Sequence, residues 1–204
     1  RLERQIKAHG LESDYPGIIL DEARRLETIV RTVGRFAALE PLHLEEKSLA
    51  AIVDEARNLV VDRAAALSRT IVWRLDIPGI TLVADGKLLA MAMGELFRNS
   101  LEFARRENVT IAVAATENRE HIRVSVSDDG PGVSPSDRTH IFDPFHSSRP
   151  EGVGMGLTLV QEILLEHNGR IELDADHTPG ARFVLTIPHF PRHLVSRLEE
   201  GGTT

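Results

Sequence analysis

Cysteine is absent from the 204 residues, which removes disulfide scaffolds, thiolate zinc sites and cysteine nucleophiles from consideration and leaves the redox compartment unreadable. Aromatic residues number nine, made up of one Trp, one Tyr and seven Phe, too few for a surface on which nucleobases stack. A formal charge of -7 opposes docking on a polyanion, so nucleic acid is not an expected partner. No apolar run approaches the roughly 18–20 residues that a bilayer span requires. Arg1 to His9 has the composition of a charged helix and no signal-peptide architecture, so no membrane contact is expected of this sequence. What is present is a 42% hydrophobic content sufficient for a core, in a length that suits one domain plus an appendage at roughly 150 residues per domain. The first residue is Arg1 and not methionine, so the sequence is read as a segment of a longer chain.

From Pro16 to Leu39 the residues Ile19, Ala23, Leu26, Val30, Val33 and Ala37 recur at steps of four and three, widened by Ile29 and Phe36. That is the period of a helix packing along a seam. Asp14 and Pro16 suit its first turn. Leu2 and Ile6 share a face of an earlier helix that Gly10 would cap, and the pair reads either as a helical hairpin able to build a bundle with a second copy or, on the seam alone equally, as a helix packed on its own domain. After Glu40-Pro41 the pattern changes, which places a boundary near residue 41. Leu42 and Leu44 are expected on a short strand, followed by one helix from Leu49 to about Leu67. Short strands are expected at Thr70–Leu75 and Thr81–Ala84. Asp85 then caps a helix that turns Leu88, Leu89, Ala92, Leu96 and Phe103 inward. A hairpin of Val109–Ala115 and His121–Ser127 follows. Residues 128–152 have no apolar periodicity but hold four prolines and three glycines, and so long a structureless loop in a domain is usually functional or mobile. A helix from Met155 to Glu166, a stop at Asn168-Gly169, and strands Arg170–Ala175 and Arg182–Pro188 complete an α+β sandwich with helices on one face of a mixed sheet.

Three clusters surround the long loop. Glu95 and Asn99 lie four apart and share a helix face. Such a pair is ordinarily a solvated side, yet beside phosphate an Asn carbonyl is a hard Mg²⁺ donor and a glutamate can orient or deprotonate an attacking group. Asp128-Asp129-Gly130-Pro131-Gly132 follows a strand directly. Alone it reads as a turn, although a carboxylate there, with glycines that let a ring approach the backbone, can also read the amino edge of adenine. Gly152-Val153-Gly154-Met155-Gly156-Leu157 runs into a helix, where amides and the helix dipole can close around phosphate oxygens. It has neither the spacing of the dinucleotide fingerprint nor the Lys-Ser/Thr of a Walker loop.

Asn on a helix, Asp-x-Gly-x-Gly after a strand, Ile141-Phe142-Asp143-Pro144-Phe145 in a loop, and Gly-x-Gly-x-Gly-Leu before a helix occur in one order. That order resembles the ATP-binding catalytic domain of sensor histidine kinases, within the gyrase and histidine-kinase type of ATPase. Glu95–Phe103 is similar to the family's N box, Asp128–Gly132 to its G1 box, Phe142–Phe145 to its F box and Gly152–Leu157 to its G2 box. The resemblance covers residues 41–188, and the segment from Pro16 to Leu39 is similar to the second helix of the dimerisation and phosphoacceptor hairpin. It implies a two-layer α/β sandwich of the Bergerat type over 41–190, preceded by the end of the hairpin (1–40) and followed by a charged tail (191–204).

The resemblance further implies an ATP-dependent protein histidine kinase of a two-component system, with ATP and Mg²⁺ as cofactors. In it Asn99 coordinates the metal, with Glu95 as catalytic partner. Asp128 accepts from the adenine amino group, and Gly130 and Gly132 shape the base pocket. Ser134–Glu151 forms a lid anchored by Phe142 and Phe145. Gly152, Gly154, Gly156, Leu157 and Thr158 meet the phosphates, with Arg149 supplying a cation. Implied partners are a response-regulator receiver domain and a second copy bound through the hairpin. The expected location is the cytoplasm, with the intact protein open to a membrane anchor.

Two departures stand out. Many family members carry Lys or Arg where this chain has Glu102, which shifts phosphate neutralisation onto Mg²⁺ and Arg149, and the usual Gly-Thr is here Gly180-Ala181. None of the nine histidines has the helical, acid-flanked setting of the family's acceptor, so the acceptor is expected upstream of Arg1. His140 and His146, which flank the F box, are expected in lid packing or solvent, and the remaining histidines in surface or core positions. The alternatives are a nucleotide-binding pseudokinase, a related Ser/Thr kinase, or a gyrase-type ATPase in which Glu95 activates water.

Overall fold

A computed structural model of the chain describes residues 42–149 and 152–189. The expected hairpin at 1–40, the boundary near residue 41 and the tail from 191 onward lie outside the described residues. Strand β1 (Glu45–Ser48) pairs antiparallel with β3 (Thr81–Ala84) in a two-stranded ribbon. The main sheet has the order β2–β4–β5–β7–β6, built from β2 (Thr70–Asp76), β4 (Asn108–Glu117), β5 (His121–Asp128), β6 (Arg170–Leu173) and β7 (Arg182–Pro188). Only β2 and β4 run parallel; the other neighbours are antiparallel. The mixed sheet and its helical layer match the expected α+β class.

Alternation in the strands decides which face is covered. Val109, Ile111 and Val113 of β4, Ile122, Val124 and Val126 of β5, and Leu185 and Ile187 of β7 are all buried, as a period of two requires of one sheet face packed against helices. The covering layer consists of α1 (Leu49–Asn58), α3 (Gly86–Phe103) and α4 (Gly156–Glu166). Leu89, Met93, Leu96 and Phe97 of α3 and Val160, Ile163 and Leu164 of α4 form its buried stripe. The caps follow the sequence. Ser48 Oγ accepts from the Ala51 amide at the start of α1, and Asp85 Oδ1 accepts from the Leu88 amide at 3.1 Å at the start of α3. Asn168 ends α4 in the left-handed region at φ 54, a conformation that Asn tolerates and β-branched residues do not. Among the described residues no helix is long and apolar enough to cross a membrane.

Four local expectations are corrected. Leu42 and Leu44 precede the strand, which begins at Glu45. The single helix expected from Leu49 to Leu67 is broken into α1 and α2 (Val61–Ala66). At the break Val60 is buried while Leu59 and Val61 are exposed, so the adjacent β-branched pair, a poor helix former, yields to burial of one side chain. Phe103, expected inward, is exposed at the last position of α3. The strand after Gly169 stops at Leu173, and the Asp174 amide donates to the Arg182 carbonyl at 2.8 Å.

Candidate nucleotide-binding site

A cleft of about 360 Å³ opens between α3, the end of β5, the long loop and the start of α4. At its inner end stands Asp128, the last residue of β5, a strand held between β4 and β7. Its Oδ1 accepts from the amides of Gly130 at 2.9 Å and Ala181 at 3.2 Å. Its Oδ2 lies 3.1 Å from the hydroxyl of Ser100, which is equally close to the Leu96 carbonyl. A carboxylate held on both oxygens is oriented before any ligand arrives. The next residue does different work: Asp129 Oδ1 accepts from the Thr110 amide at 2.9 Å and closes the loop onto β4. Gly180, at φ 83, is pressed against the Asp128 carbonyl so closely that a Cβ would overlap it, and a Cβ on Gly132, at φ 76, would meet the Gly180 carbonyl at 2.9 Å. Both need glycine for conformation and for space.

The outer end is built on α3, whose heptad spacing places Glu95, Arg98, Asn99 and Glu102 along the cleft. Arg98 is ion-paired with Glu95. Opposite them Gly152, Gly154, Gly156 and Leu157 line the wall. A Cβ on Gly154, at φ 71, would strike the His146 carbonyl, and one on Gly156 would come within 2.9 Å of Glu95 Oε2. Met155, at the N-cap of α4, makes no side-chain cap bond, so the first amides of that 11-residue helix are available at the positive end of its dipole. Among the described residues no three His, Asp or Glu side chains converge as a metal site. The side-chain oxygen of Asn99 is a hard donor on the cleft wall. One protein oxygen completed by phosphate oxygens and water is a donor set that suits Mg²⁺, which keeps much of its hydration.

The loop that the sequence left without structure is a chain of turns. The amides of Asp137, His140 and Asp143 each donate three residues back, at 3.0, 2.8 and 2.9 Å. Its apolar anchor is Phe142, whose ring meets that of Phe183 edge-on at 6.4 Å and whose carbonyl accepts from Thr158 Oγ1 at 3.0 Å. Thr158, expected at the phosphates, therefore holds the loop, and neither it nor Phe142 lines the cleft. Phe145 is corrected as well. At φ 64 its backbone amide donates to the Gly154 carbonyl, but the residue is 62% exposed and its ring does not anchor the loop. His140 sits in solvent beside Asp143 at 2.7 Å, whereas His146 lines the cleft with Asp137 at 3.7 Å.

Glu102 departs furthest from its expected role. Its side chain is only 6% exposed and is ion-paired with Arg149 and with Arg63 Nη2 at 2.8 Å. Arg149, expected to supply a cation to the phosphates, packs its guanidinium 5.2 Å above the Phe103 ring. Sequence reasoning missed Arg63, Arg98 and Ser100, and named Gly180 only in the departure Gly180-Ala181. Arg98 could have been found as the residue three after Glu95, and Ser100 as the neighbour of Asn99. Arg63 carries no local signal, because it reaches the cleft from α2.

Comparison with known proteins agrees with this geometry. Sporulation kinase B of Bacillus subtilis is 25% identical over 86% of this chain and 41% of its own length. The sensory histidine kinase/phosphatase NtrB of Rhodobacter capsulatus is 28% identical over 91% of this chain and 55% of its own. The chain thus spans about half or less of the curated relatives it matches. Among solved structures, histidine kinase ThkA in complex with response regulator protein TrrA superimposes with a TM-score of 0.72 at 25% identity, covering 94% of this chain and 56% of that one. Full-length ShkA in complex with AMPPNP gives 0.69 at 25% identity, covering 87% and 39%. The family model described as histidine kinase-, DNA gyrase B- and HSP90-like ATPase matches residues 84–191. That span runs from the cap of α3 past the end of β7 and takes in both ends of the cleft, so the chain belongs to this ATPase family.

Proposed function

We propose that the chain is the ATP-binding catalytic part of a two-component sensor histidine kinase, passing the γ-phosphoryl of Mg-ATP to a histidine on a helical hairpin. The observation that carries this is the two-ended cleft. A carboxylate held by two amides and a hydroxyl stands at one end, and glycine-flanked helix amides, Asn99 and arginines stand at the other. Asp128 accepts from the adenine amino group, while Gly132 keeps the wall thin enough for the ring to approach. The amides of Gly156 and Leu157 donate to phosphate oxygens. Asn99 would hold Mg²⁺, which when bound neutralises charge on the transferring phosphoryl. Glu95, paired with Arg98, stands beside the Gly156 turn where the attacking group must enter. Phosphoryl transfer needs mainly positioning and charge neutralisation, and these are the parts in place.

Among the relatives, ThkA is seen bound to a response regulator, and a receiver domain is the partner inferred here. The seam at Pro16–Leu39 would serve a homodimer, and the reaction would take place in the cytoplasm. The test is incubation with γ-labelled Mg-ATP, with and without the parent's helical hairpin, followed by an acid-lability check. Acid-labile label that requires the hairpin is expected. Nucleotide binding with no label even when the hairpin is present would favour a nucleotide-binding module without transferase activity.

A further inference from the structure

We infer that Glu102 is a positioning residue which gathers Arg63, Arg98 and Arg149 into an arginine fork at the outer end of the cleft, and that this fork receives the terminal phosphates of the nucleotide. The inference rests on reading the cleft as an ATP site. The three guanidiniums come from separate parts of the chain: Arg63 from α2, Arg98 from α3 and Arg149 from the loop. Arg63 also lies outside the residues matched by the family model. All three meet at one carboxylate. Arg63 donates to Glu102 Oε1 through Nε at 3.0 Å and Nη2 at 2.8 Å, Arg149 is ion-paired with Oε2, and Arg98 Nε is 4.0 Å from Oε1.

Burial and exposure divide the roles. Burying a carboxylate to 6% exposure carries a desolvation cost that close guanidinium partners offset. The arginine side chains remain 31–44% exposed and line the cleft. A guanidinium has five N–H donors in a rigid fork, so each retains donors for a second anion after pairing with Glu102. The Phe103 ring under Arg149 fixes the plane of that cation. Around this end the three arginines stand over the carboxylates of Glu95 and Glu102. Asn99 lies one turn before Glu102, which sets the fork beside the proposed metal donor. Charge counting alone would have Glu102 repel the phosphates. With its carboxylate covered by arginines, its effect on them is instead to present cations in fixed directions.

The test measures affinities of the full chain for Mg-ATP, Mg-ADP and adenosine by calorimetry. Arg63→Ala removes a side chain outside the core and is expected to weaken Mg-ATP about tenfold while changing adenosine by less than about twofold. Mg-ADP should be affected less than Mg-ATP. Glu102→Gln should weaken Mg-ATP similarly, Glu102→Asp should restore part of the loss, and the double variant should be no weaker than the worse single, because both act through one pair. Should Glu102→Gln fail to fold, Arg63→Lys decides, with an intermediate loss expected because the charge remains without the fork. Wild-type Mg-ATP affinity in folded Arg63→Ala, or tighter binding in Glu102→Gln, would overturn the inference. A wild-type chain that binds neither Mg-ATP nor adenosine would instead overturn the ATP site beneath it.

Discussion

The hydroxyl of Ser100 lies 3.1 Å from Oδ2 of Asp128, across a gap of 28 residues in sequence. It links the helix that carries the proposed metal donor to the carboxylate that would read the base, so the two ends of the cleft share one support. Asp128→Ala is predicted to weaken adenosine and ATP binding alike by at least tenfold, as loss of a charged hydrogen-bond partner costs about 1.5–3 kcal/mol. Ser100→Ala leaves two amides on Oδ1 and should cost less, about 0.5–1.5 kcal/mol. Calorimetry on folded variants checks both, and wild-type affinity in Asp128→Ala would remove the base-recognition role.

Asn99 is predicted to act through the metal and not the base. Asn99→Ala should lower affinity for Mg-ATP far more than for adenosine. Equal losses for the two ligands would place Asn99 in a general structural role.

The loop from Ser134 to Arg149 is tied to the domain at Ile141 and Phe142, by the Phe145 amide on the Gly154 carbonyl, and through the pair of Arg149 with Glu102, and elsewhere it has short local turns and mostly exposed side chains. Segments with few buried contacts open at low free energy. Amide exchange over 134–149 is therefore expected to be fast without nucleotide and slower with Mg-ATP, with Phe142 among the better protected. Full protection in the nucleotide-free protein would contradict a lid.

His167 is a buried joint. Its ring, 1% exposed, accepts from the Asp85 amide at Nε2 at 3.0 Å and donates from Nδ1 to the Ile163 carbonyl at 2.7 Å. It thereby ties the end of α4 to the cap of α3. The arrangement requires the neutral ring with its proton on Nδ1. His167→Ala should lower stability by about 1–3 kcal/mol, read by urea denaturation, while the folded remainder keeps its nucleotide affinity. Loss of affinity at unchanged stability would argue for a functional role instead.

Much of the domain was legible because local rules carried it. The period of two in β4 and β5, Asp85 as a cap, Asn168-Gly169 as a stop and the order of the four motifs all depend on neighbours in sequence. Where local propensity met tertiary demand, it lost: Leu49–Leu67 reads as one helix, and burial of Val60 breaks it.

The sequence by itself determined the sheet-and-helix layering and the kinds of residue that meet in the cleft, since periodicity, turn chemistry and motif order are encoded within a few positions. Only the tertiary structure decided what those residues touch. Thr158 turned from the phosphates to the Phe142 carbonyl, the Phe145 ring turned to solvent, and Glu102 became the centre of three arginines. Such contacts join groups 16 or 39 positions apart. They form only because packing of the buried apolar faces brings those elements together, a long-range effect with no signature in the residues that make the contact.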